Sequence, residues 1–128
     1  MRRYLQVDVF SDQPLKGNGL AVVVDGVGLS DQVMQDFAIW TQQSETTFLL
    51  PPRGGADYRV RIFSATGEMR FAGHPTLGSC AAWLHAGGVP AVEGRDGYGP
   101  SICGSGDSSI PNGNRCSHRD LCRIRCSR

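Results

Sequence analysis

Hydrophobic and polar positions follow regular periods through most of the chain and lose them near its end. Residues 4–10 alternate, with Leu5, Val7 and Val9 on one face and Tyr4 and Phe10 on the other, which predicts a strand. Residues 12–19 read as a loop, and the unbroken apolar run 20–24 is short enough for a buried strand. Ser30 is a good N-cap and Asp31 suits the first turn of a helix. That helix sets Val33, Phe37 and Trp40 at i, i+4 and i+7, which reads as its core face. Residues 46–50 are β-rich and stop at Pro51-Pro52, and Arg53-Gly54-Gly55 is a turn. In 57–63, Tyr58, Val60 and Ile62 alternate with Arg59 and Arg61, a half-exposed strand. A short strand at 69–71 and an apolar helix from about Pro75 to Ala86, ended by Gly87-Gly88, complete the pattern. The order β-β-α-β-β-β-α predicts an α+β fold.

Composition divides the chain. Of its 5 cysteines, Cys80 alone falls in residues 1–92, which read as the folded domain. Cys103, Cys116, Cys122 and Cys126 crowd into 93–128, together with Arg, Ser and Gly and only isolated aliphatic residues. A segment so poor in apolar surface cannot offset its ordering entropy, so 93–128 is expected to be a disordered tail. A metal-binding tail built on these cysteines and His118 is the weaker alternative, because no Cys-x-x-Cys pair starts it. The formal net charge of +1 excludes a strongly electrostatic nucleic-acid or membrane-surface protein. No stretch approaches the ~18 apolar residues of a membrane span. Gln6 and Asp8 interrupt any signal-peptide core behind Arg2-Arg3, so the expected location is the cytoplasm.

Two features carry chemistry. Gly73-His74-Pro75-Thr76 opens the second helix, where proline at the first helical position sacrifices no hydrogen bond. Unpaired N–H groups and the helix dipole there can receive a carboxylate, Gly73 allows close approach, and His74 stands beside it as a proton-handling group. A capped helix with a surface histidine accounts for the same residues. Glu45 sits at a strand mouth between a helix end and an apolar run, where burial would raise its pKa toward that of a general acid or base. An exposed glutamate at a strand start is the plainer reading. Gly17-Asn18-Gly19 lacks the further glycine of a dinucleotide fingerprint. Cys80, on the apolar helix, reads as a core residue. Asp8 and Glu68 are single carboxylates without a visible partner, and Asp36 reads as a solvated helix position.

Val7-Asp8-Val9-Phe10 with Pro14 and Gly17-Asn18, then Leu20-Ala21-Val22-Val23, Gln43-Ser44-Glu45-Thr46-Thr47-Phe48, Arg61-Ile62-Phe63, Glu68 and Phe71-Ala72-Gly73-His74-Pro75-Thr76-Leu77-Gly78 stand in one order over about residues 4–88. In this the chain resembles the PhzF family, the phenazine-biosynthesis-like isomerases of the diaminopimelate-epimerase fold. The resemblance implies the first half of that fold, a mainly antiparallel sheet curled around a central apolar helix. It places the catalytic acid/base carboxylate on Glu45, and it makes Gly73, His74, Pro75 and Thr76 the substrate-binding segment. The implied chemistry is proton transfer without cofactor or metal on a small carboxylic acid, of the dihydro-hydroxyanthranilate kind, with a double bond shifting as one carbon gains a proton and another loses one.

The departures are Gly19 where the family usually has proline, Ser64-Ala65 where it usually has Thr-Pro, and Cys80 where alanine is common. Family members are longer and built as two similar halves around a cleft, and the second half's catalytic aspartate has no counterpart here. The expectation is therefore a truncated isomerase, weakly active or inactive, whose tail arose by a frameshift near residues 92–97. The alternative is a non-catalytic half-domain acting as a binding module or pairing with itself as a homodimer.

Overall fold

The computed structural model describes residues 1–91 and the backbone of 122–125. The elements are β1 (Tyr4–Val9), β2 (Asn18–Val23), α1 (Asp31–Thr41), β3 (Glu45–Leu50), β4 (Arg59–Ser64), β5 (Gly67–Met69), α2 (Gly73–His85) and β6 (Cys122–Arg125). The strands form one sheet in the order β5-β4-β3-β2-β1-β6. All neighbouring strands are antiparallel except β2 and β3, so the fold is α+β on a mainly antiparallel sheet. A parallel pair needs a crossover, and α1 supplies it.

The period-2 pattern sorts side chains onto the two faces of the sheet. Leu5, Val7, Val9, Leu20, Val22 and Leu49 face α2 and form one core with Cys80 and Ala82. Val23, Phe48 and Phe63 face the other way and meet Met34 and Ala38 of α1. Both faces of β2 are therefore covered, which is why its residues form an unbroken apolar run rather than an alternating one.

The stripe of α1 that meets the sheet is not the expected one. Met34 and Ala38 are buried, whereas Val33 is exposed and Trp40 is 75% exposed. The two stripes are one position apart and equally apolar in period. The buried one packs against Val23, Phe48 and Phe63 of the sheet. Phe37 lies at the margin, edge-on to Tyr4 and Phe48, and Trp40 stacks on its outer side. Ser30 caps α1 as expected, its side chain accepting from the Val33 N–H at 3.3 Å.

Other boundaries shift by a few residues. β5 starts at Gly67 rather than Met69, because Ala65 and Thr66 make a tight turn held by the Ser64 hydroxyl. Glu68 has a partner after all. Arg61 grips it with two 2.6 Å hydrogen bonds and reaches Asp31 of α1 at 2.7 Å, so one guanidinium ties β4, β5 and α1 together. These carboxylates, with Glu68 first, hold the Arg61 pKa above its usual value. Asp8 accepts the Leu15 N–H at 2.6 Å and so shapes the loop between β1 and β2. Asp36, as expected, stays at the surface, where it accepts from Gln32 at 2.9 Å. Within the span read as a tail, β6 pairs antiparallel with β1, from Gln6 opposite Arg125 to Val9 opposite Cys122. The rest of that span, with Cys103, Cys116, His118 and Cys126, lies outside the described residues, as does any frameshift signature in it.

Two contacts fix α2 on the sheet. Gly78 lies so close that an added Cβ would sit 2.5 Å from Leu20 Cδ2 and 2.9 Å from Val9 Cγ2. At the very next residue, the fully buried Ser79 hydroxyl donates to Thr47 Oγ1 of β3 at 2.8 Å. Replacing Thr47 with valine strands the Ser79 hydroxyl in the core and is expected to cost about 1–3 kcal/mol. The double variant Thr47→Val with Ser79→Ala removes both partners and should recover most of that loss. Urea midpoints of the three variants check this. Gly78→Ala gains about 1 kcal/mol of helix propensity. It is still expected to lower the midpoint, since overpacking costs about 1–3 kcal/mol and the clash is with buried side chains on two strands.

Candidate active site

Glu45 opens β3, and the parallel register sets it opposite Leu20 of β2. Its side chain lies on the α2 face, two positions before Thr47 on the same side of the strand. His74 is the second residue of α2 and lies one turn before Gly78, so the close approach at Gly78 lowers the imidazole onto Glu45. His74 Nε2 and Glu45 Oε2 are 3.2 Å apart, and the two side chains are only 10% and 18% exposed. The contact is within ion-pair distance, yet the two atoms are misaligned. Neither completes a well-formed hydrogen bond with any described group, although both are sealed from solvent. Two buried polar atoms left without full partners are costly in a fold built only for stability.

The start of α2 adds donors. Its N-cap, Ala72, has no side chain to cap the helix. The first backbone bond of α2 runs from the Thr76 N–H to the Ala72 carbonyl at 3.3 Å. The N–H groups of Gly73 and His74 precede it and have no place in the helical ladder. Gly73 faces open space, with no atom within 4 Å of where a Cβ would be. Pro75 is the third residue of α2 rather than the first expected, and it is fully buried. Thr76 turns its hydroxyl onto the Ala72 carbonyl at 2.8 Å. Of the five residues singled out by sequence, Glu45, Gly73 and His74 thus meet at one point, while Pro75 and Thr76 build the helix start beneath them.

Sequence reasoning passed over two residues of this site. Asn18, the first residue of β2, lies with its amide Nδ2 3.4 Å from His74 Nδ1. The Ser44 hydroxyl in turn donates to Asn18 Oδ1 at 3.2 Å. Gly17-Asn18-Gly19 reads in sequence only as an incomplete dinucleotide fingerprint. The available signal was the position of Asn18 at a strand mouth, parallel to that of Glu45 on the neighbouring strand. Phe10 stands beside the histidine, with ring centroids 6.4 Å apart. It holds a left-handed backbone (φ 67°) that is uncommon for a bulky residue.

Burial holds the His74 pKa below its ordinary 6.5, while the Glu45 charge and the Gly19 backbone pull it partly back. The imidazole is therefore neutral at pH 7. Cys80 is buried in the core as expected, and burial pushes its thiol pKa up, away from a reactive thiolate. Among the described residues no cluster of His, Cys, Asp or Glu could hold a metal ion, and no helix is long and apolar enough to cross a membrane.

A sheet with a helix on each face, and its polar site at the mouth of parallel strands beneath a helix start, places the chain in an α+β class represented among solved structures. A structure from Pseudomonas aeruginosa titled a "predicted epimerase" matches with a TM-score of 0.64 at 46% identity, covering 70% of this chain and 32% of that one. A PhzF-family structure from Enterococcus faecalis matches with a TM-score of 0.62 at 34% identity, covering 70% and 34%. The family model for phenazine biosynthesis-like proteins matches residues 7–96, and the chain belongs to this PhzC-PhzF family. The trans-2,3-dihydro-3-hydroxyanthranilate isomerase of Pseudomonas aeruginosa is 45% identical over 82 residues, 64% of this chain and 30% of the relative. The chain spans about a third or less of the length of such curated relatives.

A shift in the His74 pKa is a stability statement. The unfolded histidine takes up a proton as pH falls through 6.5, but the folded one does so only at lower pH. Stability from this residue is thus present above pH 6.5 and declines as pH falls toward the folded value. Histidine-detected NMR titration should place the His74 midpoint below 6.5. Glu45→Gln removes the favourable anion and should move that midpoint lower still.

Proposed function

We propose that this chain carries the acid/base wall of an isomerase site that moves a proton on a small carboxylic acid without a cofactor. The observation that carries the reading is the sealed His74–Glu45 contact at the start of α2, 3.2 Å apart and without full hydrogen bonds. Membership of a family whose relatives include a trans-2,3-dihydro-3-hydroxyanthranilate isomerase supplies the reaction class. The substrate carboxylate lies against the Gly73 and His74 N–H groups, where the helix dipole favours negative charge and the missing Cβ gives room. The Glu45 carboxylate takes a proton from one carbon of the substrate, and the electron pair of that C–H bond forms the shifted double bond. The Glu45 carboxylic acid so formed returns a proton to a different carbon. The carboxylate is thereby restored, with the neutral His74 ring beside it as hydrogen-bonding partner.

Such catalysis depends on acid and donor groups held in a closed, dry cleft. The described residues supply one wall, and Gly73 looks out from it into open space. The 128-residue chain by itself is therefore expected to turn over trans-2,3-dihydro-3-hydroxyanthranilate weakly. In deuterated water, NMR of the substrate should show slow, protein-dependent deuterium uptake at a single carbon. Glu45→Gln should reduce that uptake by about 10²–10⁴-fold, the usual contribution of a positioned acid. Uptake equal in the variant and the unaltered chain, or absent from both, would overturn the role given to Glu45.

A further inference from the structure

We propose that Asn18 and Ser44 are positioning residues that hold the neutral His74 ring in its Nε2–H form, with the ring proton on the side of Glu45. The inference deepens the reading above and takes its catalytic meaning from it, but it concerns the state of the histidine before any substrate arrives.

Three side chains, Asn18 at the start of β2, Ser44 immediately before β3 and His74 at the start of α2, are linked in a row. The Ser44 hydroxyl donates to Asn18 Oδ1 at 3.2 Å, which uses the oxygen end of the amide and turns its NH₂ toward the imidazole. Asn18 Nδ2 then meets His74 Nδ1 at 3.4 Å. An amide nitrogen only donates, so Nδ1 must be the accepting, unprotonated nitrogen of the neutral ring. The single ring proton is left for Nε2, which faces Glu45 Oε2 at 3.2 Å. The same assignment follows from the other end of the ring. An ionised carboxylate only accepts, and it would repel the lone pair of a bare Nε2. Asn18 and Glu45 therefore select the same tautomer from opposite sides. Both stand at the mouths of adjacent parallel strands, with Glu45 opposite Leu20, two residues beyond Asn18. The parallel pairing of β2 and β3 thus sets the spacing of the two groups that flank the ring.

The role is one of orientation. Asn18 carries no proton to a substrate. It keeps the ring from turning over and keeps its N–H on the side of the acid. Hydrogen-bonded partners of this kind commonly decide which nitrogen of a histidine is protonated.

Long-range ¹H–¹⁵N spectra of the full chain, recorded without substrate above the His74 midpoint, read the tautomer directly. The unaltered chain should show the Nε2–H form. Asn18→Asp replaces the donor with an acceptor and should invert the ring to the Nδ1–H form. Asn18→Leu removes the selection and should give a mixture of the two. Ser44→Ala frees the Asn18 amide to rotate and should give a smaller admixture of the Nδ1–H form. An Nδ1–H ring in the unaltered chain would overturn the inference, since the ring would then donate to Asn18 Oδ1 or to the Gly19 carbonyl. So would a tautomer unmoved by Asn18→Asp and Ser44→Ala. Should Asn18→Leu fail to fold, the unaltered chain and Ser44→Ala still decide the matter. Deuterium uptake is measured separately, so loss of the isomerase reading with the tautomer intact, or the converse, is distinguishable.

Discussion

The close approach of α2 to the sheet at Gly78 is the constraint on which the rest of this structure depends. A helix can settle so near β1 and β2 only where a side chain is missing, and Leu20 and Val9 fill the space that a Cβ would need. Once the helix is that deep, its next residue can join Thr47 through a buried hydroxyl pair. The residue one turn earlier is brought down onto Glu45. Packing and site are therefore consequences of one contact. The histidine does not reach for the glutamate by extending a flexible side chain; the whole helix start is carried to it.

The sheet contributes the other coordinate. Pairing β2 in parallel with β3 brings two strand mouths side by side at one edge of the core, and both begin with polar residues. Ligand sites commonly gather where strands end and a helix begins, because polar groups can be held there by rigid elements while remaining accessible. The N-terminal end of α2 closes over that point and leaves open space beside Gly73. Arg61 plays the corresponding part far from the site, holding α1 and the β4–β5 turn with three short hydrogen bonds.

Much of this was legible in the sequence, for identifiable reasons. Strands with clear alternation, such as residues 4–9, and helices with good terminal signals, such as Ser30 before α1, declare themselves locally. Glu45 and Gly73-His74 stood out because each sits at a junction between elements, where function tends to concentrate. The buried stripe of α1 was misread because two apolar stripes of equal period lie one residue apart. Only the shape of the sheet opposite selects Met34 and Ala38 over Val33 and Trp40. Asn18 and Ser44 were missed because neither residue is informative alone. Their meaning lies in a strand pairing between segments more than twenty residues apart, which no local window contains. The partner of Glu68 was hidden for a related reason, since it becomes visible only when β4 and β5 fold back on one another.

The two tryptophans of the chain ended in opposite settings. Trp40 lies on the outer side of Phe37, open to water, whereas Trp83 stacks on Tyr58 at 5.1 Å between ring centroids and covers the backbone of Gly88. Each indole therefore belongs to a different helix and a different face of the sheet. The molecule carries two natural optical probes, one sensing the solvent beside α1 and one sensing whether α2 is seated. A ligand that pulls on the start of α2 would be felt along that rigid helix by Trp83, while Trp40 serves as an internal reference.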